Sequence, residues 1–328
     1  MDLIKEIHHY LADEITRINE SIINSLAVEE GLIQVISNHL SNAGGKRIRP
    51  ILTVLSTKIF GCEDDNSIKL AAAIEFIHMA TLLHDDVVDG SKMRRFLPTA
   101  NTVWGSKASI LVGDFLFSRS FQLIVSTRLH PALKVLSDAS AIIAEGEVTQ
   151  LAKLEQKRLI SREEYLKIIN AKTAELFAAA CEVGAIVAGR DRYSGLLRNY
   201  GLYLGNIFQI ADDLLDYFST DTKVGKNIGD DFYEGKVTLP LILTADKISS
   251  QDREKLEEMI KAPERKEDDF SWVKSKMIEC GISQDILKYL NEIKLEAFAI
   301  FDKIDNVENY TAKNYLKKLI EFAVERTY

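Results

Sequence analysis

Apolar residues recur along the chain at intervals of three and four, the spacing that stacks side chains on one face of an α-helix. Leu3, Ile4, Ile7, Leu11, Ile15, Ile18 and Ile22 draw one such stripe, so the first segment is expected to be an amphipathic helix. A second helix is expected over 31–41, ending at 42–45, where paired glycines permit helix-terminating backbone conformations. Residues 51–60, 71–89, 109–125 and 131–151 continue the helical character, with Pro50 suited to a first helical turn. SREE at 161–164 has the form of a capping box opening another helix. The run breaks at 190–194, and a further helix carries 206–218. From Leu239 the pattern is helical again, interrupted by APERKEDD at 262–269 and closing in a helix from about Ala312. Alternation of period two is nearly absent. The pattern predicts an all-α protein, a single large helical bundle around a central cavity, with 1–328 as one domain.

Two of these helices end in carboxylates. In 71–89, AAAIEFIHMATLLHDDVVD, Asp85 and Asp89 stand one turn apart with Asp86 beside them. The same D-D-x-x-D order returns 212 − 85 = 127 residues later in NIFQIADDLLDYF, as Asp212, Asp213 and Asp216. Like charges one turn apart repel, so a hard divalent cation is the natural partner. One such triplet fits a solvated helix end equally well. Two copies in apolar helices suggest facing walls of one cavity.

Cations flank both clusters. GGKRIRP at 44–50 crowds Lys46, Arg47 and Arg49 ahead of an apolar helix, and Arg94–Arg95 follow the first aspartates in a loop. Guanidinium forks beside a metal suit a phosphate, although the arginines could also neutralise the aspartates directly. His78 lies on the carboxylate face, as either a core histidine or a ligand. Lys172–Thr173 falls inside a helix, where a threonine often bonds back to the preceding turn. Gln209 sits one turn ahead of Asp212. The long polar stretch after Asp216 sets Lys223, Lys226 and Lys236 among glycines, as a lid over an anion or as an ordinary connection. Nothing after Pro240 carries evident chemistry.

The totals narrow the choice. The chain has 328 residues, 46% of them hydrophobic, enough for a sizeable core, and a formal charge of −8 that argues against a general nucleic-acid binder. Cys62, Cys181 and Cys280 have neither disulfide-framework nor zinc spacing, pointing to a reducing cytoplasm. Charges throughout the first segment oppose a signal peptide, and no stretch offers about 18 uncharged apolar residues for a membrane span. Glu6–His9 and Glu75–His78 each form the E-x-x-H of a di-iron bundle. That reading fails on placement, since Glu6 and His9 lie off the apolar stripe and should face water. With no evident covalent nucleophile, metals and cations around a greasy ligand suit ionisation of a diphosphate ester.

GGKRIRP, LLHDDVVD followed by MRR, the Lys172–Thr173 pair, FQIADDLLD and GKNIGDDFYEGKVTLP, in that order, resemble the trans-isoprenyl diphosphate synthases. The likeness covers roughly residues 40–245 and is strongest to the long-chain all-trans polyprenyl, octaprenyl-like branch. It implies a homodimer that uses Mg²⁺. It also implies magnesium-mediated binding of an allylic diphosphate such as farnesyl diphosphate at Asp85, Asp89 and Asp212, supported by Asp86, Asp213 and Asp216. Arg94, Lys172, Thr173, Gln209 and Lys226 would contact that substrate, and Lys46, Arg49, His78 and Arg95 would hold isopentenyl diphosphate. Head-to-tail condensation would then add one isoprene unit per cycle, in this branch commonly for a quinone side chain.

Thr81 and Ala80, four and five residues before Asp85, are small. In short-chain members bulky side chains there act as a floor, so an octaprenyl or somewhat longer product is expected, and Ala80→Phe should shorten it. Residues 71–85 span roughly 21 Å at about 1.5 Å per residue, room for several isoprene units. A terpene cyclase would carry a different second metal motif. A non-catalytic partner subunit would have lost part of a cluster, and a structural metal-binding bundle would not explain the basic residues.

Overall fold

The computed structural model describes residues 3–29, 31–42, 46–94, 97–219 and 228–326. Among them are seventeen α-helices and a two-stranded ribbon. In order, the first eight helices and the ribbon are α1 (Leu3–Tyr10), α2 (Ala12–Ser25), α3 (Gly31–Asn42), α4 (Ile48–Lys58), α5 (Asp65–Val88), β1 (Met93–Arg94), β2 (Leu97–Pro98), α6 (Ala100–Trp104), α7 (Ser106–Ser126) and α8 (His130–Glu155). Then come α9 (Arg162–Ile169), α10 (Glu175–Val187), α11 (Ser194–Phe218), α12 (Asp230–Tyr233), α13 (Leu239–Lys247), α14 (Ser250–Lys261), α15 (Glu267–Glu279), α16 (Ile282–Phe301) and α17 (Tyr310–Glu325). The all-α expectation holds.

The contacts group the chain into two compact units. The first comprises Met1–Ser140, Leu176–Gly201 and Ala299–Leu319, and the second Ala141–Glu175, Leu202–Phe298 and Ile320–Tyr328.

In the first unit α5 is the buried centre and packs on α7, α4 and α2. It begins where the Asp64 side chain accepts from the Asn66 amide, capping an orphan N–H of the first turn. Its apolar residues lie on every side, the mark of a helix covered all round, and Ala71, Ala72, Ala73, Ile74, Phe76 and Leu83 are fully buried. It stops at Gly90, whose φ of +63° is the left-handed conformation a side chain resists. The Gly90 amide donates to Val87 O and the Ser91 amide to Asp86 O, a Schellman closure that fixes the carboxylate end of the helix. Asn101 Nδ2 donates to Asp86 O at 3.0 Å and ties the same end to α6. A Cβ on Gly113 of α7 would run into the His84 ring, so glycine there leaves room for the side chain one residue before Asp85.

The first amphipathic stripe is divided at Leu11 between α1 and α2, though Leu11 N donates to Ile7 O and Ile15 N to Leu11 O across the join. Glu6 does not face water as its pattern suggested. It is half-buried, and Lys318 Nζ approaches its Oε2 at 3.4 Å. By length and mean hydropathy α7 could cross a membrane, although Lys107, Asp114 and Arg119 leave it without 18 uncharged residues in a row; one-third of its most apolar window is buried, and the helix packs on α5.

In the second unit the capping box forms as the sequence predicts: Glu164 N donates to Ser161 Oγ, and Ser161 N donates to Glu164 Oε2. The following helix differs from expectation, because Lys172 and Thr173 lie in a π-helical turn, Asn170–Ala174, between α9 and α10. Such turns are frequent at functional sites. Gly146 of α8 passes so close that a Cβ would lie 2.7 Å from the Ala171 Cβ. Tyr217, Phe232 and Phe270 cluster behind the second aspartates, and Arg265 holds the chain after α12 by donating to Phe232 O and Gly235 O.

Candidate functional site

Around the first cluster, burial separates the three aspartates. Asp86 is 1% exposed and accepts from Arg94, Nη2 to Oδ1 at 2.8 Å and Nε to both oxygens at 3.1 and 3.2 Å. Asp85 and Asp89 stay half-buried. The sequence placed Arg94 in a loop. It lies instead in β1, with Arg94 opposite Leu97 across the ribbon, and the direct neutralisation left open above is what this guanidinium does. Arg95 lies outside the described residues.

The basic turn is built against the same helix. Arg47 is the N-cap of α4 with φ 50° and ψ 35°, a left-handed conformation costing a non-glycine residue about 1 kcal/mol. Its guanidinium donates to Glu75 Oε1 of α5 at 2.5 Å. Arg49 Nη1 donates to His78 Nε2 at 3.1 Å, which assigns that nitrogen as the acceptor of a neutral ring. The Arg49 guanidinium also stacks 4.4 Å from the Phe177 ring centre. Lys46 is exposed, and the His8 ring Nε2 donates to its carbonyl at 3.3 Å. Lys46, Arg49 and His78 are therefore brought to one region, and Glu75 and Arg47 belong to it as well. Thr81 is half-buried on the face of His78, Asp85 and Asp89, whereas Ala80 is 1% exposed and packed into the core.

The second cluster repeats the division. Asp213 is buried and accepts from Tyr165 Oη at 2.6 Å and Gln209 Nε2 at 2.7 Å. Burial pushes its carboxyl up, the nearby Asp231 charge adding to the effect, and the Tyr165 hydroxyl is raised by the same burial. Thr173 Oγ1 donates to Gln209 Oε1 at 2.8 Å rather than back into its own helix. With Asn206 Nδ2 donating to Asn170 Oδ1, this bond ties the π-helical turn to α11. Asp216 Oδ2 accepts from the Asp231 amide, and exposed Asp212 accepts from Arg326 Nη2 at 2.7 Å. Lys172 Nζ pairs with Glu147 Oε2 at 2.7 Å. Lys223 and Lys226 lie outside the described residues, and Lys236 pairs with Glu234.

Tyr165, Glu147 and Arg326 went unnoticed in the sequence, and Asp231 figured only within GKNIGDDFYEGKVTLP. A lone tyrosine or glutamate carries no spacing signal. Arg326 corrects the expectation that nothing after Pro240 bears on the site: a terminal arginine stacked 4.9 Å over the Phe208 ring reaches Asp212 across 114 residues.

Glu164, beside Tyr165, is gripped by Arg158 at 2.7 Å and by Lys153 at 2.5 Å, and its carboxyl is held well below the usual range, first by the Arg158 bond. A carboxyl whose folded pKa lies below its unfolded value stabilises the fold above the ordinary value of 4.5 and loses that contribution as pH falls. The urea midpoint of Glu164→Gln should therefore trail the parent at about pH 7 and approach it near pH 3. A gap unchanged across that range would contradict this.

No three His, Cys, Asp or Glu side chains among the described residues form a ready metal cage. The donor set still fits Mg²⁺, which is usually held through one or two carboxylates together with substrate phosphates. Asp85 with Asp89, one turn apart and partly open, supplies such a pair.

An all-α chain in which each aspartate-rich helix end is met by an arginine has the makings of a protein for metal-carried polyanions. It belongs to the polyprenyl synthetase family, whose sequence profile matches residues 30–279. It is 38% identical over 327 residues to the octaprenyl diphosphate synthase of Haemophilus influenzae, covering 99% of this chain and 98% of that protein. It is 45% identical over 241 residues to the octaprenyl diphosphate synthase of Escherichia coli, covering 73% and 74%. The crystal structure of polyprenyl synthase from Caulobacter crescentus complexed with calcium and isoprenyl diphosphate matches with a TM-score of 0.92 at 43% identity, over 99% of this chain and 98% of that one.

Proposed function

We infer that this chain is a long-chain all-trans polyprenyl diphosphate synthase, condensing isopentenyl diphosphate head-to-tail onto an allylic diphosphate such as farnesyl diphosphate. The observation that carries this is the near full-length likeness to an octaprenyl diphosphate synthase. The proposal treats residues 1–328 as one catalytic domain.

Asp85, Asp89 and Asp212, with Asp216, would hold Mg²⁺, which when bound supplies the positive charge that offsets a departing diphosphate. The calcium in the Caulobacter complex is consistent with a divalent-cation requirement. Asp86 holds Arg94, and Asp213 holds Gln209 and through it Thr173, so the buried aspartates keep neighbouring donors in place, Asp213 in support of the metal. Lys172 and Lys226 would neutralise the same allylic diphosphate, while Lys46, Arg49, His78 and Arg95 bind the isopentenyl one. The allylic carbon–oxygen bond breaks and releases diphosphate, the isopentenyl double bond attacks the resulting cation, and a proton passes to the released diphosphate to leave the lengthened product. These side chains orient both diphosphates and lower the charge on the leaving one.

The quinone side chain is the proposed use of the product, and the cytoplasm the proposed site of synthesis. A homodimer is proposed on the exposed apolar residues of α7, among them Leu111 at 68% and Val125 at 58% exposure. Sedimentation velocity should give twice the 36.9 kDa chain mass, and a monomer at micromolar concentration would refute the dimer.

The direct test supplies purified protein with farnesyl diphosphate, labelled isopentenyl diphosphate and Mg²⁺. Label should enter extractable prenyl products and cease to do so on chelation. Absence of incorporation would overturn the assignment.

A further inference from the structure

We propose that Glu75 and Arg47 form a positioning clamp that sets the presentation of Lys46 and Arg49 to the diphosphate of the isopentenyl substrate. The inference rests on the reading above in which those two cations hold that diphosphate. The Glu75–His78 pair has no part in the di-iron scheme its spacing suggests, and the structure shows what the spacing serves. Two residues a turn apart on α5 meet two alternate residues of the basic turn, Arg47 on Glu75 and Arg49 on His78.

The first rung differs in kind from the second. Glu75 is 6% exposed, and a carboxylate so buried needs a cationic or hydrogen-bonding partner. Arg47 supplies it, with its own side chain 19% exposed. Arg47 also holds the left-handed backbone of the N-cap, and its side chain makes no capping bond there. A strained backbone persists only where its surroundings fix it: the Ile51 amide donates to the Arg47 carbonyl at 3.0 Å, and Glu75 anchors the Arg47 side chain. Lys46 immediately precedes the strained residue and Arg49 follows it by two, so the clamp sets the direction in which both leave the turn. Arg47 and Arg49 both turn toward the protein, on Glu75 and His78, while Lys46 is exposed.

A purely structural brace between α4 and α5 would also use this ion pair, and the test separates the two roles. Isopentenyl diphosphate alone is titrated calorimetrically into the parent, Lys46→Ala, Arg49→Ala, Glu75→Gln and the double variant Arg47→Met/Glu75→Leu. The steady-state constants and melting temperatures of the same proteins are also measured. Lys46→Ala and Arg49→Ala weaken binding, as the underlying reading requires. Glu75→Gln, which keeps the size of the side chain, weakens it about tenfold, or about 1.4 kcal/mol. Its KM rises for isopentenyl diphosphate and not for the allylic substrate, with kcat within about threefold of the parent. The double variant removes both partners, so its melting temperature returns toward the parent value while the affinity stays low. Parental affinity in the double variant would overturn the clamp. So would a Glu75→Gln effect confined to melting temperature or shared equally by both substrates. Parental affinity in both Lys46→Ala and Arg49→Ala would instead remove the reading beneath, and the clamp with it.

Discussion

Asp85→Asn should lower kcat for prenyl transfer by roughly a thousandfold, about 4 kcal/mol of lost transition-state stabilisation. The substitution keeps the shape of the side chain and removes one charge from the Asp85–Asp89 pair. It leaves the Schellman closure at Gly90 and the Asp86–Arg94 pair untouched, so the helix end should stay in place. What is lost is attraction for a cation that neutralises the leaving diphosphate. Mn²⁺ binding followed by electron paramagnetic resonance should weaken in parallel. A kcat within tenfold of the parent, with unchanged Mn²⁺ affinity, would remove Asp85 from the metal path.

The second large effect concerns product length. Thr81→Phe should truncate the product formed from farnesyl diphosphate to about geranylgeranyl length while preserving the first condensation. Thr81 shares the partly open face of α5 with His78 and Asp85, and its hydroxyl is spent on the His78 carbonyl at 2.9 Å, leaving the methyl side to be enlarged. A phenyl ring there would stand beside the reacting end of a growing chain. Ala80→Phe, which the sequence alone offered as an equivalent block, has a different expected outcome. Ala80 is 1% exposed with the core closed around it, so a ring must displace its neighbours at a cost of about 1–3 kcal/mol. It should lower the melting temperature, and Thr81→Phe should not. Parental product length from a well-folded Thr81→Phe would sink the assignment of this face.

These two neighbours show where sequence reading stops. A period of 3.6 puts Thr81 and Ala80 a hundred degrees apart on α5, but only the packed helix reveals which side is closed. The helices themselves were legible because their apolar spacing is long and regular, and Ser161–Glu164 because a capping box has a local signature. The π-helical turn at Asn170–Ala174 was not, since it depends on bonds to α11 made 36 residues away. The aspartates, Lys46, Arg49 and Lys172 were found by their order in motifs. Glu75 stood out only for a di-iron spacing it does not serve, and the keepers Glu147, Tyr165 and Arg326 not at all, because a partner is identified by distance in space and leaves no periodicity.

The central claim is that the chain lengthens an allylic diphosphate well past the short-chain products. The measurement that bears on it most directly is chromatography of the dephosphorylated products formed from farnesyl diphosphate, isopentenyl diphosphate and Mg²⁺. The account predicts a ladder that passes geranylgeranyl and stops at octaprenyl length or somewhat beyond. A ladder that ends at geranylgeranyl would contradict it.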